Sequence, residues 1–403
     1  MTVRELPSPT LDDAVGWTRT HLGDLVCDDV AASRSFVGGQ TAADTALATY
    51  DVRGYAARRN QVLPVSARGA SRLSPYIRHG LLTLPRVWDH VAEGPPRDVV
   101  KFRDELLWQE YARHLYARTG GTSRSLRYGV REHGGAARRE SGMACMDVVR
   151  DELLHDGWLV NQTRMWFASH WTVRLGNGWR DGEDHFFAHL LDGSRAANRL
   201  GWQWTVGAGT GKPYGFSRWQ VEKRAPELCA GCELRLACPV QQWPDDVELV
   251  AAAPVPGVVR DPAPVETRGP SQPVVTASAD AVWLTAESLG DDDPALVAYP
   301  DLPAVFVFDE PLLSGLSLSG KRLVFLAQAL ADLAERREVR ILRGDPVEAL
   351  ADLAVATTYA PVPGWTTRAT RVAPVSVHPW PWLVEPHSGS AASFTAWRRA
   401  ARV

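Results

Sequence analysis

Three cysteines crowd together as Cys229-Ala-Gly-Cys232 and Cys238-Pro239, and a fourth, Cys145, lies upstream in Gly142-Met-Ala-Cys145-Met. Thiols at C-x2-C-x5-C spacing in a reducing compartment favour a metal over a disulfide. The spacing alone fits zinc or an iron–sulfur cluster. Cys27 stands apart and reads as a buried structural thiol. A second concentration of chemistry lies between Trp158 and Trp204. Asn161, Arg164 and Met165 fall at helical spacing and share one face of a turn. Asp192 and Asn198 sit in a Gly-containing segment where backbone can approach a ligand. Trp202 and Trp204 point to different sides if that segment is extended. Arg, Asp and two Asn inside an aromatic surround are costly to bury without partners. The set asks for a polar aromatic ligand.

Helices must position these groups. Leu11 to Leu25 has apolar residues near period 3.6, and Thr41 to Leu47 is helix-prone. Ser74 before Pro75 reads as an N-cap followed by the first helical residue, and a free helix start with hydroxyls nearby suits a phosphate. Phe102 to Tyr111 reads as an amphipathic helix with Glu105 and Trp108 on one face. Two Gly-rich stretches imitate a nucleotide loop. Gly207 to Lys212 is one residue short, and Gly315 to Lys321 has Arg322 where a hydroxyl should hold magnesium. Neither predicts nucleotide hydrolysis.

From Asp245 to Ser278 the chain turns to Pro, Val and Ala with little periodicity, which predicts a semi-extended linker. An α/β pattern follows. Ala281 to Thr285, Pro303 to Phe308 and Val339 to Arg343 read as buried parallel strands. Lys321 to Arg336 and Pro346 to Val355 read as crossover helices. The expected organisation is therefore a helical part, 1–244, a linker, 245–278, and a small Rossmann-like part, 279–403.

The formal charge of −3 gives no gross sign of nucleic acid. Up to Pro244, however, 31 Lys and Arg face 27 Asp and Glu, a net of +4, while the remainder has 13 against 20, a net of −7. A mildly positive first part could hold DNA, and the acidic remainder should not. No apolar run reaches membrane-spanning length and no basic-then-apolar leader opens the sequence, so a cytoplasmic location is expected.

The ordered set W-x-x-N-x-x-R-M, W-R-x-G-E, L-D-G and N-x-x-x-W-Q-W, from Trp158 to Trp204, resembles the flavin-binding domain of photolyases and cryptochromes. Lys212-Pro213-Tyr214 followed by the cysteines resembles the bacterial iron–sulfur members of that family. The C-terminal α/β pattern resembles their antenna domain. Val282-Trp283-Leu284 and Asp293 to Leu296 echo its opening, and Phe394-Thr395-Ala-Trp397 echoes its close. That domain comes first in the family and last here, so the order looks circularly permuted, which surface termini and a long linker allow.

The resemblance implies an all-helical FAD domain and light-driven electron transfer from reduced FAD to a cyclobutane pyrimidine dimer in double-stranded DNA. It leaves the antenna chromophore and the lesion preference open, and the protein is expected to act as a monomer. The alternative is a cryptochrome-like photoreceptor without repair. For FAD the resemblance implies Tyr55, Phe102, Trp158, Arg164, Asp192, Ser194 and Asn198. Its phosphate loop would be Ala70-Ser71-Arg72-Leu73-Ser74, with Ala70 where the family has Thr. Glu105, Trp108, Asn161, Met165 and Trp204 would form the lesion pocket, and Arg59 would contact DNA phosphate. Gln109 stands where the family has Arg. Trp202 and Trp179 would carry electrons inward, with Tyr128 or Trp166 replacing the outer Trp. Cys145, Cys229, Cys232 and Cys238 would hold a four-iron, four-sulfur cluster.

Overall fold

A computed structural model of the protein describes residues 3–119, 128–130, 142–243, 249–251, 255–261, 263–362 and 364–403. Contacts divide the chain into two interleaved units rather than the sequential parts expected. One comprises 1–50, 72–92 and 263–387, and the other 51–71, 93–262 and 388–403.

The first unit is built on a sheet. Its strands are numbered with the rest of the chain: β1 Arg4–Leu6, β4 Val274–Val275, β5 Ala281–Leu284, β6 Ala304–Asp309, β7 Val339–Gly344, β8 Val355–Thr358 and β9 Ser376–His378. β2 (Tyr128–Val130) and β3 (Leu249–Ala251) form a separate antiparallel pair in the other unit. The sheet order is β1-β7-β6-β5-β8-β9-β4. The five inner strands are parallel, and β1 and β4 close the edges antiparallel. β5, β6 and β8 are buried almost throughout, as a parallel sheet covered on both faces demands. The chain runs outward from β5 to β6 and β7, then restarts on the other side at β8. This is a doubly wound order with its switch between β5 and β8.

The three expected strands and the helix Gly320–Ala334 fall where the pattern placed them. Several other expectations are corrected. The helix after Pro346 ends at Ala349, and Val355 opens β8. The expected linker is not extended throughout. Pro256 and Pro264 open short helices, where a missing N–H costs nothing, and Val274–Val275 joins the sheet edge. The helices Ala14–Leu22 and Gln40–Ala48 exist but pack in the sheet unit. Cys27 is exposed, not buried. Lys321 is buried, its Nζ donates to Ser319 Oγ at 2.6 Å, and Asp28 takes the Gly320 N–H at 2.7 Å. That position is filled from within the protein.

The helical unit centres on Pro96–Thr119, which begins at an acidic turn. Asp98 accepts the N–H groups of Gly54 and Ala56, both at 2.8 Å. Its core gathers Trp166, Trp179, Phe186, Trp202 and Phe216, each 3% exposed or less. The helix Phe394–Ala401 also belongs to this unit. Trp397 is fully buried and its indole N–H donates to His114 Nδ1 at 2.8 Å. Among the described residues no helix is long and apolar enough to cross a membrane.

Candidate functional site

Three helices of the helical unit carry most of the expected site: Asn161–Ser169, Trp179–His189 and Arg195–Thr205. Asn161, Arg164 and Met165 do share a face, with Asn161 Nδ2 3.8 Å from the Met165 sulfur. Arg164 donates to Asp192 Oδ2 at 2.7 Å, and its Nε is fixed on the Leu159 carbonyl at 3.0 Å. Asp192 Oδ1 is buried and has no hydrogen-bond partner among the described residues. A carboxylate with one oxygen matched and the other dry and unmatched calls for a donor from a ligand.

Asn198 lies on a helix rather than in an open Gly segment. Its amide nitrogen donates to the Glu183 carbonyl at 2.9 Å, which orients the amide and leaves Oδ1 as the acceptor. Trp158 and Phe102 are buried, and Tyr55 meets Phe102 edge-on with centroids 4.9 Å apart. Ser194 precedes the 195–205 helix without a side-chain cap. Trp202 and Trp204 diverge because two helical residues turn through a little more than half a circle. Trp202 is 2% exposed and Trp204 38%.

The lesion-pocket residues on the 96–119 helix are already engaged. Glu105 pairs with Lys101 at 2.9 Å and with Arg59 at 3.5 Å. Arg59, expected to face DNA, therefore faces an acid. Trp108 lies parallel to Phe394 with centroids 4.1 Å apart and planes at 12°. One face of the expected stacking platform is covered by a residue of the same unit.

The expected phosphate loop is divided, with Ala70 and Ser71 in the helical unit and Arg72, Leu73 and Ser74 in the sheet unit. Ser74 is not the N-cap. Leu73 holds that place with no side-chain cap, and the helix is only Ser74–Arg78. Arg72 takes a left-handed φ of 60°, and its guanidinium lies 4.7 Å from the Phe36 ring.

Cys145, Cys229, Cys232 and Cys238 line one small cavity with Val221, Leu228, Leu234 and Val240. Among the described residues, no three of these sulfurs lie within 4.8 Å of one another. Burial, and then the neighbouring thiols, push the Cys145 thiol up to about 12, and burial also raises Cys229. Without a cation beside them these sulfurs stay protonated. Arg174 holds this loop through the Pro239 carbonyl at 3.1 Å, and Arg218 through the Arg235 carbonyl at 2.8 Å.

Sequence reasoning passed over Glu183. It is 1% exposed and bridges Arg195 at 2.8 Å and Arg199 at 3.3 Å, tying the 179–189 helix to the 195–205 helix. The signal was available, since Arg195 and Arg199 stand four apart on a helix. The side chain of Tyr128 lies outside the described residues.

Residues 102–227 match the FAD-binding domain of DNA photolyase. The segment contains the 161–169, 179–189 and 195–205 helices with the Arg164–Asp192 pair. Over this segment the chain is similar to photolyases. Over 170 residues it is 34% identical to the deoxyribodipyrimidine photo-lyase of Alkalihalophilus pseudofirmus, covering 39% of this chain and 35% of that one. Over 163 residues it is 32% identical to the enzyme of that name from Vibrio cholerae, covering 36% and 35%. The chain thus spans about a third of the length of the curated relatives it matches. A solved bacterial class III photolyase from Agrobacterium tumefaciens overlaps 46% of this chain and 42% of its own, at 25% identity and a TM-score of 0.39.

Proposed function

We propose that this chain is a flavoprotein that uses light to split cyclobutane pyrimidine dimers in DNA. The observation that carries the proposal is the Arg164–Asp192 pair with its unmatched carboxylate oxygen, set inside the segment matched to an FAD-binding domain. Bound FAD supplies the light-driven one-electron chemistry. The protein's part is binding, orientation and exclusion of water. Asp192 Oδ1 would accept an N–H of the flavin, with Arg164 holding the carboxylate in place through Oδ2. Asn198 offers an oriented oxygen, with Phe102, Tyr55 and Trp158 as apolar walls and Ser194 as a neighbouring hydroxyl. Ala70 to Ser74 serve the diphosphate. Asn161, Met165, Trp204, Trp108 and Glu105 receive the lesion, whose weakened stacking makes it the base pair cheapest to flip.

The four cysteines hold an iron–sulfur cluster in this reading. The cavity that all four cysteines line supports a group bound among them. The family's α/β domain, placed after the helical segment in the chain, is the reading we attach to the strands between Val274 and His378. A cytoplasmic monomer acting on damaged duplex DNA completes it.

One observation favours a second reading, a cryptochrome-like photoreceptor: the platform Trp108 is covered by Phe394. The deciding assay is blue-light-dependent loss of dimers from an oligonucleotide by chemically reduced protein, with iron and sulfide measured in the same preparation. Repair with about four iron per chain is the expected result. Flavin-loaded, reduced protein that repairs nothing gives the photoreceptor reading its place, and zinc in place of iron removes the cluster.

A further inference from the structure

We propose that Arg174 is the counter-charge of the group held among the four cysteines and sets how readily that group takes up an electron. The proposal rests on the iron–sulfur reading above and adds to it a residue that is not a ligand. Arg174 ends the π-type turn His170–Arg174, a wider winding that recurs at functional sites. Its guanidinium donates to the carbonyls of Phe216 at 2.6 Å, Pro239 at 3.1 Å and Gln242. Pro239 directly follows Cys238, so Arg174 ties down the chain that presents that thiol.

All of these partners are main-chain carbonyls. The Nε–H is buried and has no partner among the described residues, and the Phe216 ring lies 5.6 Å from the guanidinium carbon. No carboxylate among the described residues balances the charge. Arginine stays protonated in proteins, and a charge drawn out of water without a counter-ion is costly. Burial pushes the guanidinium down from its ordinary value. What pulls it back is the charge on the Cys238 sulfur, then that on Cys145.

The neighbouring basic groups are placed differently. Arg218 lines the cavity, but its Nε already pairs with Glu222 at 2.8 Å. Arg235 lines it too and is exposed, so water and salt screen it. His170, on the same turn, is pushed down to about 4 by burial and then by Arg174, and is neutral near pH 7. Of these groups only Arg174 is both sheltered and unbalanced.

Four thiolates outweigh the positive charge of an iron–sulfur core, and an added electron makes the whole more negative. Net charge and surroundings therefore set the potential. The apolar walls Val221, Leu228, Leu234 and Val240 favour the less charged, oxidised level. Arg174 opposes them, because a fixed positive charge favours the reduced level.

The test uses the full-length protein purified without oxygen. Iron and sulfide are measured first, and the sample is then titrated with dithionite and followed by the paramagnetic resonance of the reduced form. Arg174→Gln should lower the ratio of reduced to oxidised centres at a fixed potential by at least about tenfold. For a one-electron couple that is a shift of about 59 mV. Arg174→Lys keeps the charge without the planar fork and should restore the ratio to within about threefold of the wild type. A wild-type ratio in iron-loaded Arg174→Gln, or an equal fall in both variants, overturns the proposal and leaves the iron–sulfur reading standing. If Arg174→Gln holds no iron, Arg174→Lys decides: iron loaded at the wild-type potential supports the proposal, and a tenfold fall overturns it. Wild-type protein that holds zinc or no metal sinks both.

Discussion

Each unit buries an aspartate in a turn beside a helix, and the two do different things. In the sheet unit Asp293 is 5% exposed, and its Oδ1 accepts from Thr358 at 2.8 Å, Ala295 N at 3.0 Å and Leu296 N at 3.2 Å. All its partners are local or on the adjacent strand β8, so it caps a helix and fastens it to the sheet. In the helical unit Asp192 has one oxygen on Arg164 and the other buried with nothing to accept from. Residue type and side-chain burial are alike, and the two differ in their partners: Asp293 is held by its own helix and a neighbouring strand, while Asp192 keeps one oxygen unmatched. An acid completed by its own fold stabilises that fold. An acid with an oxygen left over has room to accept from a ligand.

The comparison breaks most sharply at Asp192. Asp192→Asn removes the charge that holds Arg164 and should weaken FAD binding by about two orders of magnitude, measured by flavin release on dilution. Helix content by circular dichroism should stay. A variant that keeps its flavin would put Asp192 in the same class as Asp293.

Asp293→Ala should do the reverse, costing about 1–2 kcal/mol in denaturant unfolding through the lost cap while flavin content is unchanged. The pH dependence sharpens this further. Burial raises the Asp293 carboxyl from 3.8 to about 6, so the folded protein binds its proton more tightly than the unfolded chain does. Stability contributed by this group is therefore greatest below about pH 4 and falls as pH rises to about 6. The unfolding midpoint of the wild type should fall relative to that of Asp293→Asn as pH rises across that range. Parallel profiles would remove the assignment. The smallest effect is expected at Phe394. Phe394→Ala forfeits a stack worth about 0.5–1.5 kcal/mol and frees Trp108, which should raise affinity for dimer-containing DNA by about threefold. Weaker binding would mean that Phe394 itself belongs to the recognition surface.

Much of the helical site was legible because its signals are local. Asn161, Arg164 and Met165 are one turn apart, and the cysteines carry their spacing with them. The strands from Ala281, Ala304 and Val339 were legible as runs of buried β-branched and aromatic residues. β8 was not, because Val355-Ala-Thr-Thr follows Ala- and Leu-rich sequence that suits a helix as well, and only pairing with β5 decides it. The Pro-rich stretch misled for a positional reason, since Pro at a helix start is favourable and the same Pro inside a helix is not. The cover on Trp108 was invisible, because Phe394 reaches it from a helix hundreds of residues away in the chain. The neighbouring bond from Trp397 to His114 spans 283 positions.

That bond also sets an order of assembly. The helical unit is drawn from 51–71, 93–262 and 388–403. A chain being synthesised must therefore hold the 96–119 helix with Tyr111 and His114 uncovered until the Phe394–Ala401 helix emerges. At cellular elongation rates the intervening stretch takes on the order of tens of seconds to make. During that interval the surface that Trp397 will fill is open to chaperones, and a stalled ribosome would leave the helical unit without its closing helix.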